Sequence, residues 1–540
     1  MYDYYLSSPM REGVLCWYPF ECDVKILDLS GGVLSDLLRR RGNVSTSGEN
    51  FDYIVLLDPC DFSVEALANL RSMLNSRGRL LLAYENPYAM RFWAGKGAKN
   101  TGSPYDSLFG RGNNPLPSKA ELASRLSLAG FDGLKWYYPL TDHWLTQEVY
   151  SEDYLPNEFL NQRFQPYISD DLSLQYDERP LYREIIRNGA FEFMCGAYLV
   201  EARVNANDST CPVDYVALTA NREPPKRFMT IVRNDGIAVK TPLHEEGRES
   251  AGRILCNHEE LARMGVNVIP MRLEGDSLVM PHIDLPTLWD YWAEKLTYGI
   301  FDEDEMFSQF DKIREAIYKA SANGKCYWEL VPANCFYDEN NGELIFFDQE
   351  YCSDNISPDV ALARALWSLK YSPIFKADPK RDYWLSAMKK RYDIAEKWEE
   401  YSVAANGLTD EVFGDSFEQL NKESRRAQAH IREQTTFRNW YIRFLPVVKK
   451  IAEKGLINPA IYGYGKRGKT LHRVLEDCGY TIEVIIDIKL EKYRTVDDAP
   501  KVYDVLIVSV LGGESIADEL RSKVDVPVYT LGELIDEPTK

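Results

Sequence analysis

Two short passages constrain this 540-residue chain more than any other: Trp328-Glu329-Leu330-Val331-Pro332-Ala333-Asn334 and Ile345-Phe346-Phe347-Asp348. An acid stands five residues before an asparagine, and an aspartate then closes a short apolar run. Phosphoryl transfer from a nucleotide uses that set: an acid near the attacking hydroxyl, an amide oxygen for a divalent cation, and a carboxylate for the same ion. Between the passages, Asn340-Asn341-Gly342 is a strong turn. A plain hairpin accounts for the turn but leaves the acid–Asn–Asp spacing without a reason.

The upstream residues point the same way. Thr230 to Val232 and Ile237 to Lys240 flank Asn234-Asp235-Gly236, a hairpin signal. Ile237-Ala238-Val239-Lys240 reads as the strand that delivers a lysine, a compact charge, to nucleotide phosphates. The helical stretch from Cys256 to Leu261 offers Glu259 or Glu260 as its ion-pair partner, with Glu249 also open. Ser277 to Ile283 reads as a strand and hinge over a base. No glycine-rich loop precedes Lys240; Asn221-Arg222 and Lys226-Arg227 stand there and could touch phosphate. The expectation is a kinase-like α+β domain that binds ATP and Mg2+. Lys240 and Glu259 serve the nucleotide, Asn334 and Asp348 the metal and chemistry, and Glu329 the acceptor hydroxyl.

The first two hundred residues alternate strand and helix: Val24 to Leu29, Phe51 to Asp58 and Arg79 to Tyr84 as strands, with Val33 to Leu38 and Glu65 to Leu74 as helices. That argues for a parallel sheet with crossovers. Gly31 and Gly32 follow the first strand, and Asp58, Glu85 and Asn86 close the later ones. Leu70 to Asn86 resembles the fourth-helix-to-fifth-strand passage of class I S-adenosylmethionine methyltransferases. The loop Ser30-Gly31-Gly32 is short of a full glycine-rich cofactor turn. Gly42 to Asn50 is polar turn material, so one or two strands are expected to be missing. S-adenosylmethionine at Gly31, Gly32 and Asp58 is therefore the least favoured cofactor.

Further passages extend the resemblance. These are Arg11 to Phe20, Arg91-Phe92-Trp93-Ala94-Gly95, Thr101-Gly102, Trp136 to Asp142 and Ala197 to Glu201. Together they are similar to bacterial methyltransferase-like proteins of surface-polysaccharide gene clusters, several of which carry a kinase-like domain directly after the methyltransferase domain. The match spans roughly residues 1 to 370. It implies a role in making or modifying capsule, O-antigen or a related glycan, with a glycan or sugar acceptor and other polysaccharide-biosynthesis proteins as partners. The family's loop carries Asp-x-x-x-x-Asn and a later Asp-x-Glu, which adds Glu350 to the metal set. This chain departs from it at Glu329.

Toward the C-terminus, Trp384 to Glu400 and Phe417 to Arg432 read as charged helices, either a solvated face or a docking surface. Pro459 to Gly468 is a strand entering Gly463-x-Gly465-x-x-Gly468, and a helix and a strand ending at Asp487 follow it. That is the dinucleotide fingerprint in its required context. It predicts a small Rossmann-like domain holding NAD or a nucleotide-sugar, or serving structure alone.

The expected fold class is thus α/β multidomain: a degenerate methyltransferase-like sheet (1–205), a kinase-like domain (206–375), a helical connector (376–450) and the Rossmann-like domain (451–540). A net charge of −20 without a basic block argues against nucleic acid as a partner. No signal peptide or membrane-length apolar run is legible. Ten scattered cysteines and six unclustered histidines argue against structural zinc and place the chain in a reducing cytoplasm, reaching the inner face of a membrane only through a partner. The functional expectation is a phosphotransferase of surface-polysaccharide biosynthesis. The alternatives are a non-catalytic scaffold of an assembly complex and a methyltransferase acting on a glycan.

Overall fold

The computed structural model describes residues 9–95, 105–110, 116–160, 179–219, 222–372, 375, 378–410, 412, 429, 440–510 and 512–535. The chain divides into two units, Met1–Arg425 and Arg426–Lys540. In the first, apolar runs buried on both faces build a parallel sheet, as the absence of polar alternation requires. β1 (Val24–Leu29), β2 (Gly42–Ser45), β3 (Phe51–Leu57) and β4 (Leu74–Glu85) stand in the order β2-β1-β3-β4. The crossover helix Val64–Met73 starts at Ser63, whose hydroxyl accepts the Ala66 N–H.

β2 corrects one expectation. The stretch after Gly42 is a strand, paired in parallel with β1 from Val24–Gly42 to Leu27–Ser45. It is a half-buried edge strand, so backbone pairing builds it without an apolar run. Gly42 is needed there: a Cβ at that position would lie 2.3 Å from the Val24 carbonyl oxygen. Ser45 is followed by Thr46 and Ser47, so no carboxylate closes this strand.

Beyond β4 the sheet turns antiparallel. It adds β5 (Gly133–Leu140), β6 (Glu148–Ser151), β7 (Ala197–Arg203), β8 (Val213–Leu218), β9 (Phe228–Arg233), β10 (Ile237–Pro242), β11 (Arg272–Glu274) and β12 (Ser277–Pro281). The twelve strands run β11-β12-β10-β9-β8-β6-β5-β7-β4-β3-β1-β2. The chain position 205/206 falls between β7 and β8, and the sheet passes it without a break, because β6 pairs with β8 at Val149–Val216.

A helical layer completes the first unit. The helices Leu288–Thr297, Glu303–Ala320 and Pro358–Tyr371 bury Trp292, Phe310, Ile313, Leu362 and Leu366 against one another. They pack with two small antiparallel pairs: β13 (Lys325–Tyr327) with β16 (Cys352–Asp354), and β14 (Cys335–Asp338) with β15 (Glu343–Phe346). The stretch from Trp384 is two helices, Arg381–Arg391 and Trp398–Asp410, because Asp393 takes a left-handed turn with φ 55°. The helix expected over 417–432 lies outside the described residues but for Ala429.

In the second unit β17 (Pro459–Tyr462), β18 (Ile485–Ile486), β19 (Val505–Val508) and β20 (Val528–Thr530) form a parallel sheet in the order β18-β17-β19-β20. The helix Lys466–Asp477 follows β17 directly and packs Leu471, Val474 and Leu475 onto it. Among the described residues, no helix is long and apolar enough to cross a membrane.

Candidate functional site

Lys240 lies on β10, between β9 and β12, registered with Thr230 and Leu278. Alternation turns Ala238 and Lys240 to the buried side of the strand. The lysine stem passes Phe228, with Nζ 5.2 Å from the ring centroid. Its ammonium is paired with both Asp348 and Glu350. Burial works to lower its pKa, but the two carboxylates outweigh that and hold it above the ordinary value.

The β14–β15 hairpin explains how the motif residues meet. Its register pairs Cys335 with Phe346, so the next pair outward is Asn334 with Phe347. The Phe347 N–H donates to the Asn334 carbonyl at 3.0 Å, which sets Asn334 beside Asp348. The hairpin thus accounts for the meeting of Asn334 and Asp348, while Glu329 stands outside it. Asp348 itself takes a left-handed backbone with φ 56°, an uncommon conformation for a side chain other than glycine. Burial works to raise its carboxyl, yet Lys240 and Arg222 hold it below the usual carboxylate range.

Residues that the sequence did not single out brace the loop after Asp348. The Gln349 side chain donates to the carbonyls of Glu329 (2.9 Å) and Phe347 (2.8 Å). The Gln349 N–H donates to His258 Nε2 at 3.2 Å, and Asn257 donates to the Gln349 carbonyl at 3.1 Å. Burial, with Lys240 adding to it, lowers His258 to about 4, so the ring is a neutral acceptor near pH 7. Asn257 and His258 lie on the helix Arg248–Arg263. One turn of polar residues on an otherwise ordinary amphipathic helix gave no sequence signal.

Two expected roles change. Glu329 does not face an acceptor. It is buried, and its Oε2 accepts the Glu350 N–H at 3.0 Å. Burial, followed by the neighbouring Glu350 and Asp348, pushes its carboxyl up to about 8. A protonated, enclosed acid supports the loop rather than accepting a proton from a hydroxyl. Glu259 is exposed and Glu249 likewise, while Glu260 binds Lys325 at 2.6 Å and Tyr327. Lys240 is paired with Asp348 and Glu350, not with a glutamate of this helix.

A second polar group lies where the strand order reverses between β1 and β3, the place in an open α/β sheet where ligands bind. Gly31 (φ 67°) and Gly32 (φ 85°) follow β1, and a Cβ on either would meet nothing within 4 Å. Asp28 organises this turn by accepting the Ser30 N–H at 2.9 Å and the Ser35 hydroxyl at 2.5 Å. Asp58, with φ 44°, pairs with buried His143 at 2.9 Å and accepts the Trp144 indole N–H at 3.0 Å. Beside them Arg91 pairs with Glu85 (2.8 Å) and Asp142 (3.2 Å). The polar triple Asp142-His143-Trp144, straight after apolar β5, was the available signal for the last of these.

In the second unit the three glycines divide the labour expected of a fingerprint. Gly463 turns the chain with φ 89°. Gly465 caps the helix and leaves open space around its Cα. Gly468 brings helix and strand together, and a Cβ there would stand 2.1 Å from the Gly463 carbonyl oxygen. Asp487 is held by the loop: its carboxylate accepts the Tyr464 N–H at 2.5 Å and the Lys489 N–H at 2.9 Å. The Tyr464 N–H, first among the causes, keeps that carboxyl below its usual range.

No protein-family model matches the chain, and no curated protein matches it. Among solved structures, the kinase domain of Mycobacterium tuberculosis PknI is similar. It aligns at 15% identity over 39% of this chain and 96% of its own, with a TM-score of 0.23. A cysteine-to-alanine variant of the same domain aligns at 16% identity over 41% and 98%, also with a TM-score of 0.23.

Proposed function

We propose that the cluster around Lys240 binds ATP with Mg2+ and that this part of the chain is a phosphotransferase acting on a sugar or glycan acceptor. The observation that carries the reading is Lys240 itself, a buried ammonium held between Asp348 and Glu350 with Asn334 alongside. Two carboxylates that already gather a cation, on a loop whose Phe347 is bonded to the Asn334 backbone, offer oxygen donors. Such a set suits magnesium, which takes one or two carboxylates and completes its shell with phosphate and water. When bound, the ion would neutralise charge on the transferring phosphoryl group. The chain's own part is to present Lys240 to phosphate oxygens, to hold Asp348 and Glu350 through the Gln349 and Glu329 contacts, and to exclude water with Phe336 and Phe347, stacked at 4.4 Å. The glycan acceptor, and a place in bacterial surface-polysaccharide biosynthesis, rest on the resemblance of residues 1–370 alone.

One observation favours a second reading, binding without transfer. Glu329 is turned inward and protonated near neutral pH, which leaves no base in the expected place. In that case the chain serves a polysaccharide assembly complex as a ligand-binding scaffold. Calorimetric titration with ATP and magnesium, Lys240→Met as control, tests the site. Micromolar, magnesium-dependent binding lost in the variant is expected, and no binding at millimolar ATP sinks the nucleotide reading. ATP turnover that disappears in Asp348→Asn separates transfer from binding alone. Micromolar affinity for S-adenosylmethionine would instead assign the Gly31, Gly32 and Asp58 crevice to methyl transfer.

A further inference from the structure

The connection between β8 and β9 has no glycine between Leu218 and Phe228, yet it places a side chain inside the proposed nucleotide site. Arg222 leaves this connection and pairs with Glu350. Its Nη1 lies 3.3 Å from the Tyr351 hydroxyl, its guanidinium 5.9 Å from the Tyr351 ring centroid, and its side chain is only 15% exposed. Tyr351 is itself stacked on Trp328, 5.0 Å away and 10° from parallel.

The backbone that delivers Arg222 is braced. Its N–H donates to the Thr219 carbonyl at 3.2 Å, and its carbonyl accepts Arg227 Nε at 2.5 Å. The Thr219 hydroxyl accepts the Phe228 N–H at 2.8 Å. Pro224 and Pro225 fix the short helical turn between. These contacts hold the Arg222 guanidinium in place.

Arg222 and Lys240 thus converge on Asp348 and Glu350, two cations on two carboxylates. Asp348 and Glu350 would hold a divalent cation, and the two side chains now paired with them would then be free to meet phosphate oxygens. A planar guanidinium fork is well suited to those oxygens. We propose that Arg222 is a phosphate-binding residue of this site, doing with one side chain what a glycine-rich loop does with backbone amides. If Glu350 serves the metal, Arg222 would be freed from it, and metal and nucleotide would each strengthen the binding of the other. The inference rests on the nucleotide reading above.

The test titrates the full chain with ATP by calorimetry, once with magnesium and once with EDTA. The proteins are wild type, Arg222→Ala, Arg222→Lys and, as control, Arg248→Ala at an arginine 57% exposed on the surface. Expected is wild-type binding that weakens at least about tenfold in EDTA, and Arg222→Ala binding at least about tenfold weaker than wild type with magnesium. Arg222→Lys, which keeps the charge that offsets Glu350, should fall between them, with the control unchanged. Should the alanine variant fail to fold by circular dichroism, the lysine variant decides. Variants that bind ATP as tightly as wild type, or more tightly, overturn the inference and leave Arg222 a latch on Glu350. Wild type that does not bind at all overturns the nucleotide reading, and this inference with it.

Discussion

At the scale of single residues, Glu329 decides how the site responds to pH. Its carboxyl is pushed up to about 8 by burial and by Glu350 and Asp348. The folded state therefore keeps a proton that the unfolded chain releases near pH 4.3. The stabilisation is fully present below that value and is lost as pH rises through about 8. His258, lowered to about 4, acts oppositely: its contribution grows as pH rises from about 4 to about 6.5 and then stays constant. Between pH 6.5 and 8, then, Glu329 acts without it. The wild-type thermal midpoint should fall across that window more steeply than the midpoint of Glu329→Gln, whose amide cannot ionise. Parallel slopes in a scanning-calorimetry series would show that Glu329 is not held protonated. The residue also marks a limit of sequence reading. Its distance in sequence from Asn334 was legible, and the hairpin register then brings Asn334 to Asp348. Its direction was not, since the inward turn depends on the Glu350 amide and on burial by the surrounding fold, neither of which is local in sequence.

At the scale of elements, glycines separate what packing demands from what a ligand would demand. A Cβ on Gly468 meets the Gly463 carbonyl at 2.1 Å, and backbone cannot step aside. Gly468→Ala should cost about 3 kcal/mol, the upper part of the range for overpacking. Gly465 has open space and an ordinary negative φ of −71°, so Gly465→Ala should cost under about 1 kcal/mol, mostly as a poorer cap. Chemical denaturation of the two variants checks this, and equal losses would mean that the loop is not packed as described. The Gly-x-Gly-x-x-Gly element was legible because strand, turn and helix follow at once in the chain. β2 was not: an edge strand needs only one neighbour's backbone, so its side chains carry no pattern. The helix Arg248–Arg263 was legible as a helix, but its useful residues were not. Proximity of an acid in sequence pointed to Glu259, whereas the face turned to the Gln349 loop carries Asn257 and buried His258.

At the scale of the molecule, the sheet of the first unit joins what sequence composition divides. Parallel strands with crossovers and antiparallel strands with hairpins read as separate domains, because nothing local announces that β6 and β8 will pair. Yet Val216 sits in β8 between Val149 of β6 and Ile231 of β9, fully buried. A ladder of this kind transmits the loss of one strand to both sides. Val216→Pro removes a backbone donor in mid-sheet and costs about 3 kcal/mol or more. If the twelve strands fold as one cooperative body, hydrogen exchange in the variant should speed up on both sides of the break, at Ile54 and Leu81 as well as at Ile231 and Ala238. Faster exchange confined to β8–β12 would mean that the strands from β1 to β7 are stable without them, and that the shared sheet is a junction between two independently folding parts. The distinction bears on function. In a cooperative sheet, a ligand that bound at Lys240 as proposed and stabilised β10 would also stabilise the strands that carry Asp58, and unequal protection there with and without ATP would reveal the link.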